Sequence, residues 1–129
     1  MNIYDLLSSD EKNAKMSHIA GLYALACVDG KIDDVELEII SKIANREGLS
    51  EDELRECISN PEKINIEFPD DDNIKVQYLR DMVTLMICDL DVDEKEMKLC
   101  KTIAKAMEFK DEIIDALLMD IINDIKKKM

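Results

Sequence analysis

The chain reads as an all-α protein, one compact helical bundle with an internal pseudo-twofold repeat. Three observations predict it. Only three glycines and two prolines punctuate 129 residues, and β-branched alternation is scarce, so the signals that delimit strands are missing. Apolar residues instead recur at helical spacing along most segments. Finally, the phrase Asp29-Gly-Lys-Ile-Asp-Asp-Val-Glu36 returns as Asp89-Leu-Asp-Val-Asp-Glu-Lys-Glu96, so that Asp29, Asp33 and Glu36 reappear sixty residues on as Asp89, Asp93 and Glu96.

Each element follows from local chemistry. A short turn or helix over Asn2–Leu7 is expected to precede a capping box at Ser8-Ser-Asp-Glu11, which opens a helix running to about Cys27 with Met16, Ile19, Tyr23 and Ala26 on one face. Gly30 lets the chain turn sharply in the first acidic loop. Asp33 and Glu36 then form an Asp-x-x-Glu capping pair, and the helix they open buries Ile39, Ile40, Ile43 and Ala44 before stopping at Gly48. A second capping box at Ser50-Glu-Asp-Glu53 starts a helix over about Glu51–Ser59, halted by Asn60-Pro61. A single helical turn at Pro61–Ile64 suits proline in a first helical position. Asp70-Asp-Asp-Asn73 caps the next helix, which carries Leu79, Met82, Val83 and Met86 into the second acidic loop. The helix Glu94–Met107 repeats the earlier pattern with Leu99, Cys100, Ile103 and Ala104. The last helix, about Asp111–Lys127, has the stripe Ile114, Leu117, Leu118, Ile121, Ile122 and Ile125. Met82, Met86, Met97, Met107 and Met119 all fall at core-like positions, as adaptable packing. Short connections and duplicated phrasing place two helix pairs about a pseudo-twofold, with repeats over about 14–58 and 74–118 inside a single domain, 1–129.

Composition narrows function by exclusion. A balance of 17 basic against 30 acidic residues gives a net charge of −13. That field repels phosphate backbones and favours cations or a basic protein face, so no nucleic-acid role is expected. The first residues carry neither the cationic nor the apolar segment of a signal peptide, and no apolar run approaches the ~18 residues that span a bilayer. A cytoplasmic location is expected. Cys27, Cys57, Cys88 and Cys100 form no C-x-x-C pair and read as small core hydrophobes. His18, the single histidine, has no thiol pair near it in the sequence to make a zinc site. No histidine, serine or cysteine constellation supports nucleophilic chemistry and no glycine-rich loop cradles phosphate, so a non-enzymatic chain is expected.

The acidic corners are the candidate site: Asp29, Asp33, Glu36, Asp89, Asp93 and Glu96. Glu36 and Glu96 head the apolar stripes of their helices, three and four residues before Ile39 and Ile40 or Leu99 and Cys100, and are expected to turn back toward the preceding loop. Three readings stand open. The acids cap helices, each cap contributing roughly 1 kcal/mol. They gather oxygens for a hard divalent cation, calcium or magnesium. Or they form a docking surface for a basic partner. Neither loop is an EF-hand. The second begins with Asp89, Asp91 and Asp93 but puts Glu94 in the glycine position and Cys100 in that of the bidentate acid.

Taken together, Ala26-Cys-Val-Asp-Gly-Lys-Ile-Asp-Asp-Val-Glu36, its echo Asp89–Glu96, and Gly48-Leu-Ser-Glu-Asp-Glu53 resemble the TerB-like domains, over roughly Ala14 to Ile125. That family includes tellurite-resistance proteins and the N-terminal region of some membrane-anchored DnaJ-type co-chaperones. The resemblance implies an all-helical fold of about seven helices and a non-enzymatic binding or scaffold role in stress response or tellurite-type resistance. It also implies divalent-cation binding at the matched acids and a link to a membrane-associated stress complex through other proteins. The second repeat departs from the motif, since Leu90 stands where the first has Gly30 and leucine resists a left-handed backbone. The alternative is an acidic protein-interaction domain without metal.

Overall fold

A computed structural model describes residues 3–28, 30, 32–64, 66–88 and 92–128, with 3–10 and 62 described in backbone only. Among them lie six α-helices, one 3-10 turn and no strand: α1 (Ile3–Ala26), α2 (Asp34–Arg46), α3 (Glu51–Ser59), the turn Pro61–Lys63, α4 (Asp72–Met86), α5 (Glu94–Ala106) and α6 (Glu112–Lys127).

The count is six rather than seven because the expected break at Ser8 does not occur. α1 runs without interruption for 24 residues from Ile3. Nothing between Ile3 and Gly21 is a strong breaker, and extending an existing helix is far easier than nucleating another. A serine inside a running helix is not needed as a cap, because the amides it would serve already have carbonyl partners four residues back.

The starts of α2, α3 and α4 follow the expected side-chain chemistry, whereas α6 starts at Asp111 without a side-chain cap. Asp33 Oδ1 accepts from the Glu36 amide at 2.8 Å while the Asp33 amide donates to Glu36 Oε1 at 3.4 Å, a reciprocal box opening α2. The Ser50–Glu53 box opens α3 in the same way, at 3.2 and 2.9 Å. Asp71 caps α4 through the amides of Asn73 and Ile74.

Helix ends match as well. α2 closes in a Schellman turn, with Leu49 N–H donating to Ala44 O and Gly48 N–H to Asn45 O, each at 3.0 Å. α5 closes in the same turn, with Phe109 N–H to Ala104 O at 3.0 Å and Glu108 N–H to Lys105 O at 2.9 Å. Both turns need a left-handed residue. Gly48 supplies it at φ 76°, and Glu108 adopts it at φ 71°.

α1 and α4 are the central helices. α1 packs on α2, α3, α4 and α5; α4 packs on α5, α6, α1 and α2. Their contact residues, among them Ile19, Leu22, Leu25, Leu79, Val83 and Met86, are all but sealed from solvent, together with Ile40 of α2, Cys100 of α5 and Ile114 of α6. The described cysteines are all free thiols. Cys57 and Cys100 are fully buried, and burial pushes their thiols up to about 11 and about 12, which removes the thiolate needed for reactivity. Met82, Met86 and Met107 are buried and Met97 is half-buried, but Met119 is 60% exposed. The core-like reading of Met119 is therefore corrected. α6 is a flank helix that buries one stripe, Ile114, Leu117 and Ile121, and Met119 falls on the far side of it. Ile125 is likewise more than one-third exposed.

Candidate functional site

Asp29 and Asp89 lie outside the described residues, so the two loops are described only from their flanks. Gly30 has φ 88° and its amide donates to Cys27 O at 2.9 Å, which turns the chain off the end of α1. On the far side of each loop the acids sit where expected. Asp33 and Asp93 are N-caps, the second accepting from Lys95 N at 2.7 Å and Glu96 N at 3.4 Å. Glu36 and Glu96 are buried, with 9% and 8% of their surface exposed. They are two of only four buried polar or charged residues among those described. A carboxylate that deep needs compensation for lost hydration, and the free amides of a helix start supply part of it. Among the described residues no three His, Cys, Asp or Glu side chains come together in a metal-holding group.

The other two buried polar residues are His18 and Asp81, 7% and 5% exposed. They form a network that the sequence did not announce. Asp81 of α4 receives four donors, which fill the sites a carboxylate offers. Arg46, the last residue of α2, grips it with both guanidinium arms, at 2.9 Å to Oδ1 and 2.7 Å to Oδ2. Gln77 Nε2 reaches Oδ1 at 3.3 Å, and His18 Nε2 of α1 lies 2.8 Å from Oδ2. The His18 ring stacks on Tyr78, with centroids 3.8 Å apart and planes 4° from parallel. One buried carboxylate thus ties α1, α2 and α4 together.

The charge states follow. Burial by itself would raise the Asp81 carboxyl, but the hydrogen bonds from Arg46 and His18 outweigh it and hold Asp81 below the usual carboxylate range. Burial lowers His18 from its ordinary 6.5, and this outweighs the opposing pull of Asp81, whose charge Arg46 already balances. His18 is therefore neutral at pH 7. An ionised carboxylate can only accept, so Nε2 carries the proton and Nδ1 keeps its lone pair. Burial also raises the Tyr78 phenol, helped by its hydrogen bond with Glu47.

Beside this network lies an apolar cavity of about 310 Å³, bounded by α1, α4, α5, Pro61, Ile64 and the segment 66–68. His18, Ser17 and Gly21 line its α1 wall, and Leu99, Ile103 and Met107 its α5 wall. The segment is pinned to α1 by a hydrogen bond from Glu67 N–H to Ser17 Oγ at 3.0 Å. Gly21 costs a helix about 1 kcal/mol relative to alanine. A Cβ built there meets nothing within 4 Å, so no packing clash demands the glycine.

Sequence reasoning found the caps Asp33 and Asp93 and missed the network. The signal that could have found it is Asp81, an acid set between Leu79 and Met82-Val83 on the buried stripe of α4, where a charge requires partners. In comparisons with protein-family models, with curated proteins and with solved structures, nothing matches this chain.

Proposed function

We propose that the chain is a non-enzymatic binding module of the TerB-like kind, cytoplasmic and acting in stress response or tellurite-type resistance, whose two acidic corners engage a divalent cation, calcium or magnesium. The observation that carries this is the pair Glu36 and Glu96. The same acid is buried to the same degree at the third position of two helices sixty residues apart. Asp33 and Asp93 are the N-caps, and each of these glutamates lies on the same corner as its cap. Two carboxylates gathered at one helix start, at both corners, are the hard oxygen donors that calcium or magnesium takes.

A duplicated ancestor accounts for the pairing. Its support is that α2 and α5 start and stop at residues sixty apart, as α1 and α4 stop, and that α1 and α4 exchange equivalent neighbours. The left-handed closures at Gly48 and Glu108 fall at the same offset.

The reciprocal box between Asp33 and Glu36 favours a second reading, in which the acids are caps and the module's charge of −13 meets a basic face of a partner protein instead. Calorimetric titration with calcium and magnesium separates the two. Glutamine still closes a capping box, so Glu36→Gln with Glu96→Gln removes charge while keeping the cap. Saturable heat in the wild type that vanishes in the double variant is the expected result. Absence of heat for both ions, or heat unchanged in the variant, leaves the capping account and the basic partner.

A further inference from the structure

The cavity beside His18 has features that none of the corner chemistry uses. Its wall is apolar, and its volume of about 310 Å³ lies at the lower end of the ~300–1,000 Å³ typical of small-molecule sites. One buried polar ring belongs to that wall. His18 Nε2 is committed to Asp81 at 2.8 Å, and one ring face is covered by Tyr78. Nδ1 has no hydrogen-bond partner among the described residues, and the ring that carries it lines the cavity. The Asp81–Arg46 pair fixes the tautomer that leaves a lone pair on Nδ1. Gly21 opens the same wall where nothing in the packing calls for a missing side chain.

We propose that this cavity binds a small, uncharged, chiefly apolar molecule through one hydroxyl or N–H group donated to His18 Nδ1. An anion is disfavoured, because the chain carries −13 and Nδ1 accepts rather than donates. A cation is disfavoured by the apolar lining, which offers it no hydration. The site is separate from the acidic corners and stands or falls without them.

The test uses the whole chain, 1-naphthol as the donor-bearing probe and 1-methoxynaphthalene as its donor-free counterpart. Methyl NMR follows the cavity wall through Leu99, Ile103 and Met107. The ¹⁵N signal of Nδ1 follows the acceptor directly, and with one histidine in the sequence its assignment is unambiguous. Saturable shifts of those methyls with 1-naphthol, a displaced Nδ1 signal, and binding about tenfold weaker for the methyl ether are the expected results, tenfold being the loss of one net hydrogen bond. Gly21→Leu places a side chain at the cavity wall, where a Cβ meets nothing within 4 Å, and is expected to abolish the shifts. Equal affinity for the two probes, an unmoved Nδ1 signal, or no saturable binding overturns the proposal. So does concentration-dependent shifting of the same methyls in the absence of probe, which would make a second copy of the chain the occupant.

Discussion

Asp81 accepts four hydrogen bonds in a place where an unpartnered carboxylate would not stay ionised. Replacing it by asparagine keeps the volume but strands two of those donors. Asp81→Asn is expected to lose about 3 kcal/mol in urea denaturation, the low end for breaking a buried pair, because the Arg46 head is partly exposed and can turn to water. The network also sets a pH dependence. His18 and Asp81 both have folded values below their ordinary ones. Their contribution is therefore complete above pH about 6.5. It declines as pH falls from there toward the folded His18 value, because the unfolded chain takes up a proton that the folded one refuses. The slope is up to about 1.4 kcal/mol per pH unit for one proton, and a further decline follows below the ordinary carboxylate range as Asp81 contributes. Urea midpoints between pH 8 and pH 5, with the lone histidine titrated by NMR, check both parts. A His18 titration above 6.5 would reverse the sign.

At the level of elements, α2 and α5 end in the same turn with different residues in the left-handed position. Glycine takes that conformation freely, whereas an L side chain there costs about 1–2 kcal/mol. Glu108→Gly is accordingly expected to stabilise the protein by about 1 kcal/mol. Gly48→Ala is expected to destabilise it by a similar amount. Chemical denaturation of the two variants against wild type measures the pair, and equal effects of the same sign would mean that the turns are not equivalent. The exposed links between helices matter less. Lys12 reaches Glu53 at 2.6 Å, and Arg80 holds Asp120 and Asp124, but solvent-exposed pairs contribute about 0–1 kcal/mol. The bundle rests on its buried stripes.

For the whole molecule, a charge of −13 on 129 residues repels itself in the compact state. Sodium chloride up to a few hundred millimolar is expected to raise the melting temperature by screening that repulsion. At equal ionic strength, magnesium chloride is expected to raise it further if the corners hold the ion, and by no more than sodium if they are caps. No described helix is long and apolar enough to cross a membrane.

Helix identity was legible in the sequence because it depends on short-range chemistry. Cap residues such as Asp33, Ser50 and Asp71, the breakers Asn60-Pro61, and apolar spacing act within a few positions of themselves. The caps Asp33 and Asp93 were legible for the same reason, since each acts on amides two or three residues ahead of it. The fusion of the first two expected helices was less so, because a serine-rich start supports either a cap or a continuing helix. Tertiary structure alone decided the rest. His18, Arg46 and Asp81 stand 28 and 35 residues apart along the chain, and nothing local to any of them requires the other two. Only the packing of α1, α2 and α4 brings one carboxylate within reach of both the Arg46 guanidinium and the His18 ring. The cavity beside them depends in the same way on how four segments fail to fill the space between them, and no single segment encodes that volume.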